Sequence, residues 1–251
     1  MLTAKGCQLY NPNCSRQLAY IESKKKVADG KVNFFNSAAV GFDKASGQEF
    51  IAVGTCTGEI YQVQLAGASF VKEIGFQMSD ASAVTALSGD PRSRHLAAGN
   101  SNGYVIVFET DNEAEWKPAF NVGTADEIPV TALQTLQRPG LGALFLAGFA
   151  NGQVKLISAA SGQLLATLGS HSRCLNALTC HPEKPLFLTC GDDTFLNVFS
   201  VAGDREDSLD VTLTLSSKVN DYQLVGAAFA GDSSIVAAPY DFKHLVVWPA
   251  I

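Results

Sequence analysis

The chain is 251 residues long, with 47% hydrophobic and 17% charged side chains, a mean hydropathy of +0.11 and a formal charge of −6. That composition supplies a full core and excludes a disordered tail. The acidic balance argues against a phosphate-binding face, which needs clustered Lys and Arg, and no apolar run reaches the ~18 residues that span a bilayer, so neither nucleic acid nor membrane is expected as a partner.

In chain order, Met1 to Gly6 lack the apolar stretch of an export signal. The six cysteines (Cys7, Cys14, Cys56, Cys174, Cys180 and Cys190) form no CxxC and no regular framework. Both point to a reducing compartment, so a cytoplasmic location is expected. Residues 1–23 hold two strand-like runs, Cys7 to Tyr10 and Gln17 to Ile21, read as the third and fourth strands of an incomplete unit. Lys24-Lys25-Lys26 follows as a solvated basic loop, with contact to an acidic surface as the alternative.

A unit ending in a Gly-turned hairpin then recurs. Its copies read Gly54-Thr55-Cys56-Thr57-Gly58, Gly99-Asn100-Ser101-Asn102-Gly103 and Gly148-Phe149-Ala150-Asn151-Gly152. A fourth, Gly191-Asp192-Asp193-Thr194, keeps the first glycine and loses the second. First glycines lie 45, 49 and 43 residues apart. Each unit holds an inner strand, two nearly all-apolar strands and an outer strand, as in Val130 to Leu136, Leu144 to Gly148, Val154 to Ile157 and Leu164 to Leu168. Asn151-Gly152 predicts a two-residue type I′ hairpin, because both positions tolerate positive φ. Units fall at about 32–76, 84–122, 130–168 and 174–215, with a terminal three-stranded unit at 222–251.

Repeats of about 40–45 residues made of short strands are the signature of a WD40-type β-propeller. The predicted fold is therefore all-β, a single WD40-like propeller domain over 1–251 with about four complete blades and two partial ones. The terminal unit lacks an outer strand and the N-terminal unit an inner one. Joined, they would give five strands, so further blade material N-terminal to this sequence is expected; the alternative is that residues 1–22 drape over the ring.

The unit at 174–215 resembles a WD40 repeat position by position. The resemblance implies a buried hydrogen-bond chain through His171 in the loop before the inner strand, Thr189 on the second strand and Asp193 in the hairpin. Phe199 stands where the family has Trp; it carries no indole N–H, so the chain is expected to lose one member. The other units place Thr57, Asn102 and Asn151 in the turn, followed six residues later by Val63, Phe108 and Ile157. From Gly148 to Trp248, through Ser161-Gly162-Gln163-Leu164, Gly226-Ala227-Ala228-Phe229 and Tyr240-Asp241, the sequence is similar to the WD repeat-containing protein 54 family. That resemblance implies a seven-bladed ring in the full family member and brings no catalytic residues.

Other constellations point less far. His171 with Asp193 reads as a structural pair rather than a catalytic dyad. Cys174, Cys180, His181 and Cys190 lack the C-x₂₋₄-C knuckle of a zinc site, so no metal or other cofactor is expected. Asp90, Asp126, Glu127, Asp192 and Asp193 are rim carboxylates that a propeller hydrolase would need as a pair. No phosphate loop, G-x-S-x-G or H-E-x-x-H is present. Asp111 to Glu115 and Asp204 to Asp207 read as solvated loops, and Trp116 and Trp248 as packing anchors. The expected function is a non-enzymatic protein-interaction scaffold, with contacts carried by the loops before inner strands, at Asp80, Asp126, Glu127 and Arg173. The alternatives are a structural subunit of a larger assembly, cytoskeletal or ciliary, and a propeller hydrolase. A monomer and a subunit of a complex both fit, with other proteins as partners.

Overall fold

Short apolar runs bounded by Gly, Asn, Asp and Ser turns dictate strands, and a computed structural model of the chain is built from them. It describes residues 2–3, 6–22, 33–43, 47–66, 69–90, 95–109, 116–123, 127–138, 142–203, 205 and 208–249. Six antiparallel sheets follow one another in chain order. The first holds β1 (Leu2–Thr3), β2 (Gly6–Tyr10) and β3 (Gln17–Glu22), and the second β4 (Phe35–Phe42), β5 (Glu49–Thr55), β6 (Glu59–Ala66) and β7 (Ser69–Gln77). The third comprises β8 (Val84–Asp90), β9 (His95–Asn100), β10 (Val105–Glu109) and β11 (Pro118–Val122). The fourth comprises β12 (Val130–Leu136), β13 (Leu144–Phe149), β14 (Gln153–Ser158) and β15 (Leu164–Gly169). The fifth is β16 (Leu175–Cys180), β17 (Leu186–Gly191), β18 (Phe195–Ala202) and β19 (Asp210–Lys218), and the sixth β20 (Leu224–Ala230), β21 (Ser234–Pro239) and β22 (Val246–Trp248). The N-terminal unit thus gains a strand over the expected two: Leu2 pairs with Cys7 and Thr3 with Gly6, a run too short for any pattern to reveal.

The first strands of the second to sixth sheets, β4, β8, β12, β16 and β20, stand beside one another in that order. Small polar side chains bridge them. Ser37 Oγ donates to the Val84 carbonyl at 3.4 Å, Thr179 Oγ1 donates to the Ala227 carbonyl at 2.9 Å, and the Ser88 and Thr135 hydroxyls lie 2.9 Å apart. At Gly89 the backbones come so close that a Cβ would fall on the Val40 carbonyl.

Because side chains alternate across a strand, each middle strand divides its residues between two neighbours. In β13, Phe145 and Ala147 pack toward the third sheet with Val105 and Val107, while Leu144 and Leu146 pack toward the fifth with Leu175, Leu178 and Phe187. The same division gives a separate apolar core at every boundary between consecutive sheets. Trp116 is buried between Phe50 and Phe108, with ring centroids 5.3 and 6.0 Å away. Trp248 packs on the core between the last two sheets and donates its indole N–H to Ser217 Oγ at 3.0 Å.

Strand register corrects the alignment of the fourth repeat. Ser37, Ala86, Ala132 and Ala177 on the inner strands pair with Gly54, Gly99, Gly148 and Cys190. Cys190, not Gly191, therefore occupies the first-glycine slot, and Gly191 matches Thr55, Asn100 and Phe149. The turn is corrected too. Gly58, Gly103, Gly152 and Thr194 each donate an N–H to the carbonyl three residues back, and each is left-handed, with φ of 83, 85, 83 and 73°. Asn151 does not have positive φ, so the hairpin is not type I′ but a four-residue turn ending in one left-handed residue.

Thr194 thus holds a glycine position, and among the described residues its buried hydroxyl has no hydrogen-bond partner. A left-handed L-residue costs about 1–2 kcal/mol, and glycine's chain entropy offsets roughly 0.5–1 of that. Thr194→Gly is expected to stabilise the protein by about 1 kcal/mol, raising Tm by ~2–4 °C in calorimetry. A lower Tm would contradict the assignment of residue 194 to a glycine slot.

Candidate functional site: the clasped hairpin rim

Hairpins between second and third strands of the second to sixth sheets are gripped by the loop entering the sheet, and those of the second, fourth and fifth sheets by the departing loop as well. The entering loop accepts one hydrogen bond: Cys56 N–H to Phe34 O at 3.0 Å, Ser101 N–H to Ala83 O at 2.9 Å, Ala150 N–H to Pro129 O at 3.0 Å, Asp192 N–H to Cys174 O at 2.9 Å and Tyr240 N–H to Gln223 O at 2.7 Å. The loop leaving the sheet donates another. Gly58 O accepts from Met78 N–H at 2.8 Å, Gly152 O from Ser170 and His171 N–H at 3.1 and 3.0 Å, and Thr194 O from Val219 N–H at 2.9 Å. Hairpins and entry loops therefore share one rim, on which every backbone group just named is paired.

Side chains tighten the grip differently in the fifth, third and second sheets. In the fifth, His171 Nδ1 lies 2.9 Å from Asp193 Oδ1 and His171 Nε2 lies 2.9 Å from Thr189 Oγ1. Ser172 N–H donates to Asp193 Oδ2 at 2.9 Å. The expected shortening does not occur: Ser170 Oγ lies 2.7 Å from Thr189 Oγ1, and Asn197 Nδ2 donates to the Ser170 carbonyl at 2.7 Å. Phe199 instead stacks on Phe187, with centroids 4.9 Å apart. With a neutral imidazole and an ionised Asp193, Nδ1–H donates to the carboxylate and Nε2 accepts from Thr189. The Thr189 oxygen is then left to accept from Ser170. Thr189 and the His171 side chain are 0% exposed, so the middle of this hydrogen-bond chain is packed away from solvent and fastens the loop to the hairpin.

In the third sheet Asp80 takes the place of His171, four residues before the inner strand. Asp80 Oδ2 accepts from Asn102 Nδ2 at 2.9 Å and Oδ1 from Ser82 N–H at 3.0 Å. Asn100 donates to Ser82 Oγ at 2.8 Å and accepts from the Asn102 and Tyr104 N–H groups. Asp80 is exposed yet part of this clasp, and the Ser82 hydroxyl and N–H, with the Asn102 amide, hold its carboxyl below the usual range despite a small opposing effect of burial. In the second sheet a buried carboxylate does the fastening: Glu59 Oε2 accepts from Asn33 Nδ2 at 2.7 Å and from Tyr61 OH at 2.8 Å. Burial, then the Glu59 carboxylate, push the Tyr61 hydroxyl well above its ordinary pKa.

Of the other residues singled out in the sequence, Glu127 and Arg173 are exposed on entry loops, Glu127 with φ of 50°. Asp126, residues 24–26 and 111–115, and most of 204–207 lie outside the described residues, as does the side chain of Asp90. Asp192 accepts from Asn176 Nδ2 at 2.7 Å. His181 Nδ1 accepts from the Glu183 and Lys184 N–H groups at 3.1 and 3.0 Å, and burial pushes the Cys180 thiol far up and that of Cys190 up to about 12. Among the described residues no cluster of His, Cys, Asp or Glu is placed to hold a metal ion. The sequence reading missed Ser170, Asn197, Ser82, Asn100, Asn33 and Glu59. Counting back four residues from Val84 and Leu175 would have paired Asp80 with His171.

The WDR54 family model matches residues 1–248. The chain belongs to the WDR54 family. WD repeat-containing protein 54 of Mus musculus is 25% identical over 214 residues, 80% of this chain and 61% of that protein, and the Homo sapiens protein is 27% identical over 217 residues, 80% and 60%. The chain thus spans about three fifths of the length of these curated relatives. WD repeat-containing protein 74 of Homo sapiens is 35% identical over 103 residues, 41% of this chain and 26% of that protein. Among solved structures, the WD40 β-propeller domain of Doa1 superposes with a TM-score of 0.60 at 14% identity, covering 82% of this chain and 62% of that one. Chaetomium thermophilum Raptor does so with 0.67 at 16% identity, covering 90% and 19%. These likenesses show the fold, a WD40 β-propeller.

The fifth-sheet clasp makes stability depend on acid. Burial pushes the Asp193 carboxyl up, but the Ser172 N–H, the His171 ring and the Phe195 N–H together outweigh it and hold the group below its ordinary value. A depressed folded-state pKa adds stability that is present above the unfolded value of about 4 and is lost as pH falls through the folded value. Asp193→Asn is expected to cost about 2–3 kcal/mol at pH 7 in urea unfolding, with the gap to the native chain narrowing below pH 4. A gap constant from pH 7 to pH 3 would contradict that role.

Proposed function

We propose that this WDR54-family propeller is a non-enzymatic scaffold that presents its clasped rim to partner proteins. The observation that carries the reading is the grip of the entry loops on five hairpins, doubled by the departing loop on three of them. Loops already ordered by folding lose little further entropy on docking, so contact energy goes into affinity rather than into ordering. Family and fold support the same reading, since WD repeat proteins generally mediate protein–protein interaction. The hydrolase alternative needs two carboxylates facing a substrate. Asp192 and Asp193 are instead hydrogen-bonded to Asn176 and to His171 and Ser172.

A second reading, a subunit built into a larger assembly, is favoured by the last sheet. Tyr240, Leu245 and Val247 are 63, 63 and 57% exposed there, and β22 pairs only with β21 among the described residues. Exposed apolar residues beside an open strand edge suit a covering neighbour.

Affinity capture from cell lysate with mass spectrometry separates rim from edge. Reversing charge on the entry loops, Glu127→Lys with Arg173→Glu, is expected to deplete specific partners at least fivefold. Gln163→Lys, exposed on the opposite rim, leaves them in place. An unchanged partner set in the entry-loop variant would remove this rim as the contact face.

A further inference from the structure

A cavity of about 400 Å³ opens where the second sheet meets the third, between the end of β7, the loop that follows it, and the β9–β10 hairpin with β11. Its volume falls in the range of ligand pockets rather than of packing defects. Phe76 and Met78 line it from the second sheet, and Asn100, Tyr104 and Asn121 from the third, with Asp80 between them. Tyr104 is 37% exposed, so its ring is open to solvent.

The chemistry of this lining is one-sided. Asp80 supplies a carboxylate, two aromatic rings supply electron-rich faces, and Asn121 supplies an exposed amide, whereas the Asn100 amide is already engaged with Ser82, Asn102 and Tyr104. No basic side chain lines the cavity among the described residues. The clasp uses one lone pair of Asp80 Oδ2, for Asn102, and a carboxylate oxygen has two. An anion would meet a fixed negative charge here, and a purely apolar group would bury polar atoms without partners. A flat cation with several N–H donors suits it: it stacks on the rings, donates to the carboxylate and reaches the Asn121 amide oxygen.

We infer that this cavity is an arginine pocket, taking an arginine side chain of a partner protein between the second and third sheets. The inference rests on the scaffold reading, which concerns the rim as a whole, and gives one point on that rim its ligand chemistry. The acidic balance of the chain, a formal charge of −6, draws basic segments toward it.

The test needs no partner. The 251-residue chain, labelled with ¹⁵N, is titrated by NMR with acetyl-Gly-Arg-Gly-amide and, separately, with acetyl-Gly-Gln-Gly-amide. The arginine peptide is expected to shift the amide signals of residues 76–81 and 100–106 saturably in the millimolar range, with affinity falling as NaCl is raised, while the glutamine peptide binds at least fivefold more weakly. Tyr104→Leu, which removes the ring and leaves the Asp80 clasp intact, is expected to weaken arginine binding at least threefold. Asp80→Asn removes the charge and is expected to weaken it further; if that variant disturbs the hairpin, Tyr104→Leu decides alone. Equal shifts with both peptides, shifts confined to other sheets, or indifference to Tyr104→Leu would overturn the pocket. Such a failure leaves the partner-capture result untouched, and a failed partner capture leaves the peptide titration untouched, so the two are told apart.

Discussion

Every boundary between the complete sheets depends on one close approach. On the second strand of a sheet the backbone carries glycine or cysteine where the first residue of the next inner strand arrives. A Cβ on Gly54 would meet Val84, one on Gly99 would meet Val130, and one on Gly148 would meet Leu175. At the next boundary Cys190 makes the approach, with its Sγ donating to the Leu224 carbonyl at 3.8 Å. Val84, Val130, Leu175 and Leu224 are each fully buried by it. The small residue lets the next strand start against the sheet, and that start aligns the two apolar faces behind it. Protein interiors tolerate little misfit, so a larger side chain in this slot would separate both faces.

From that handover the rim follows. Once inner strands stand in sequence, the loop between one outer strand and the next inner strand must pass the hairpin of the sheet it leaves and that of the sheet it enters. Its backbone groups find partners there: the hairpin carbonyls of Gly152 and Thr194 accept from the departing chain, while the arriving chain's Pro129 and Cys174 carbonyls accept from the hairpin N–H groups of Ala150 and Asp192. Side-chain fasteners then vary freely: a His–Asp pair in the fifth sheet, an Asp–Asn pair in the third, a buried Glu with Asn and Tyr in the second. The fold needs the fastening, not one chemistry for it.

Much of this was legible in the sequence, and the failures are as informative. Period and turn residues revealed the strands, because sheet and hairpin have strong local signals in Gly103, Gly152 and the apolar runs beside them. Gly191 misled because it lies one residue past the slot that Gly148 fills, and only pairing with Leu175 and Ala177 shows the shift. The two-residue β1 left no pattern at all. At the rim, His171, Thr189 and Asp193 were visible through the WD40 resemblance. Ser170 and Asn197 were not, since their roles come from neighbours 19 and 27 residues away. Asp80 looked like a free surface charge because sequence does not show that Asn102 and Ser82 already face it.

The glycine slot and the residue arriving against it act energetically as one unit. A double-mutant cycle on Gly99 and Val130 tests it most directly, because Val130 is β-branched and has little room to move away. Gly99→Ala alone should destabilise by about 2–3 kcal/mol through overpacking, and Val130→Ala alone by a similar amount through the cavity it leaves. The double variant is expected to be about 1–2 kcal/mol more stable than the sum of these losses, since each change makes room for the other. Additivity within about 0.3 kcal/mol would contradict it.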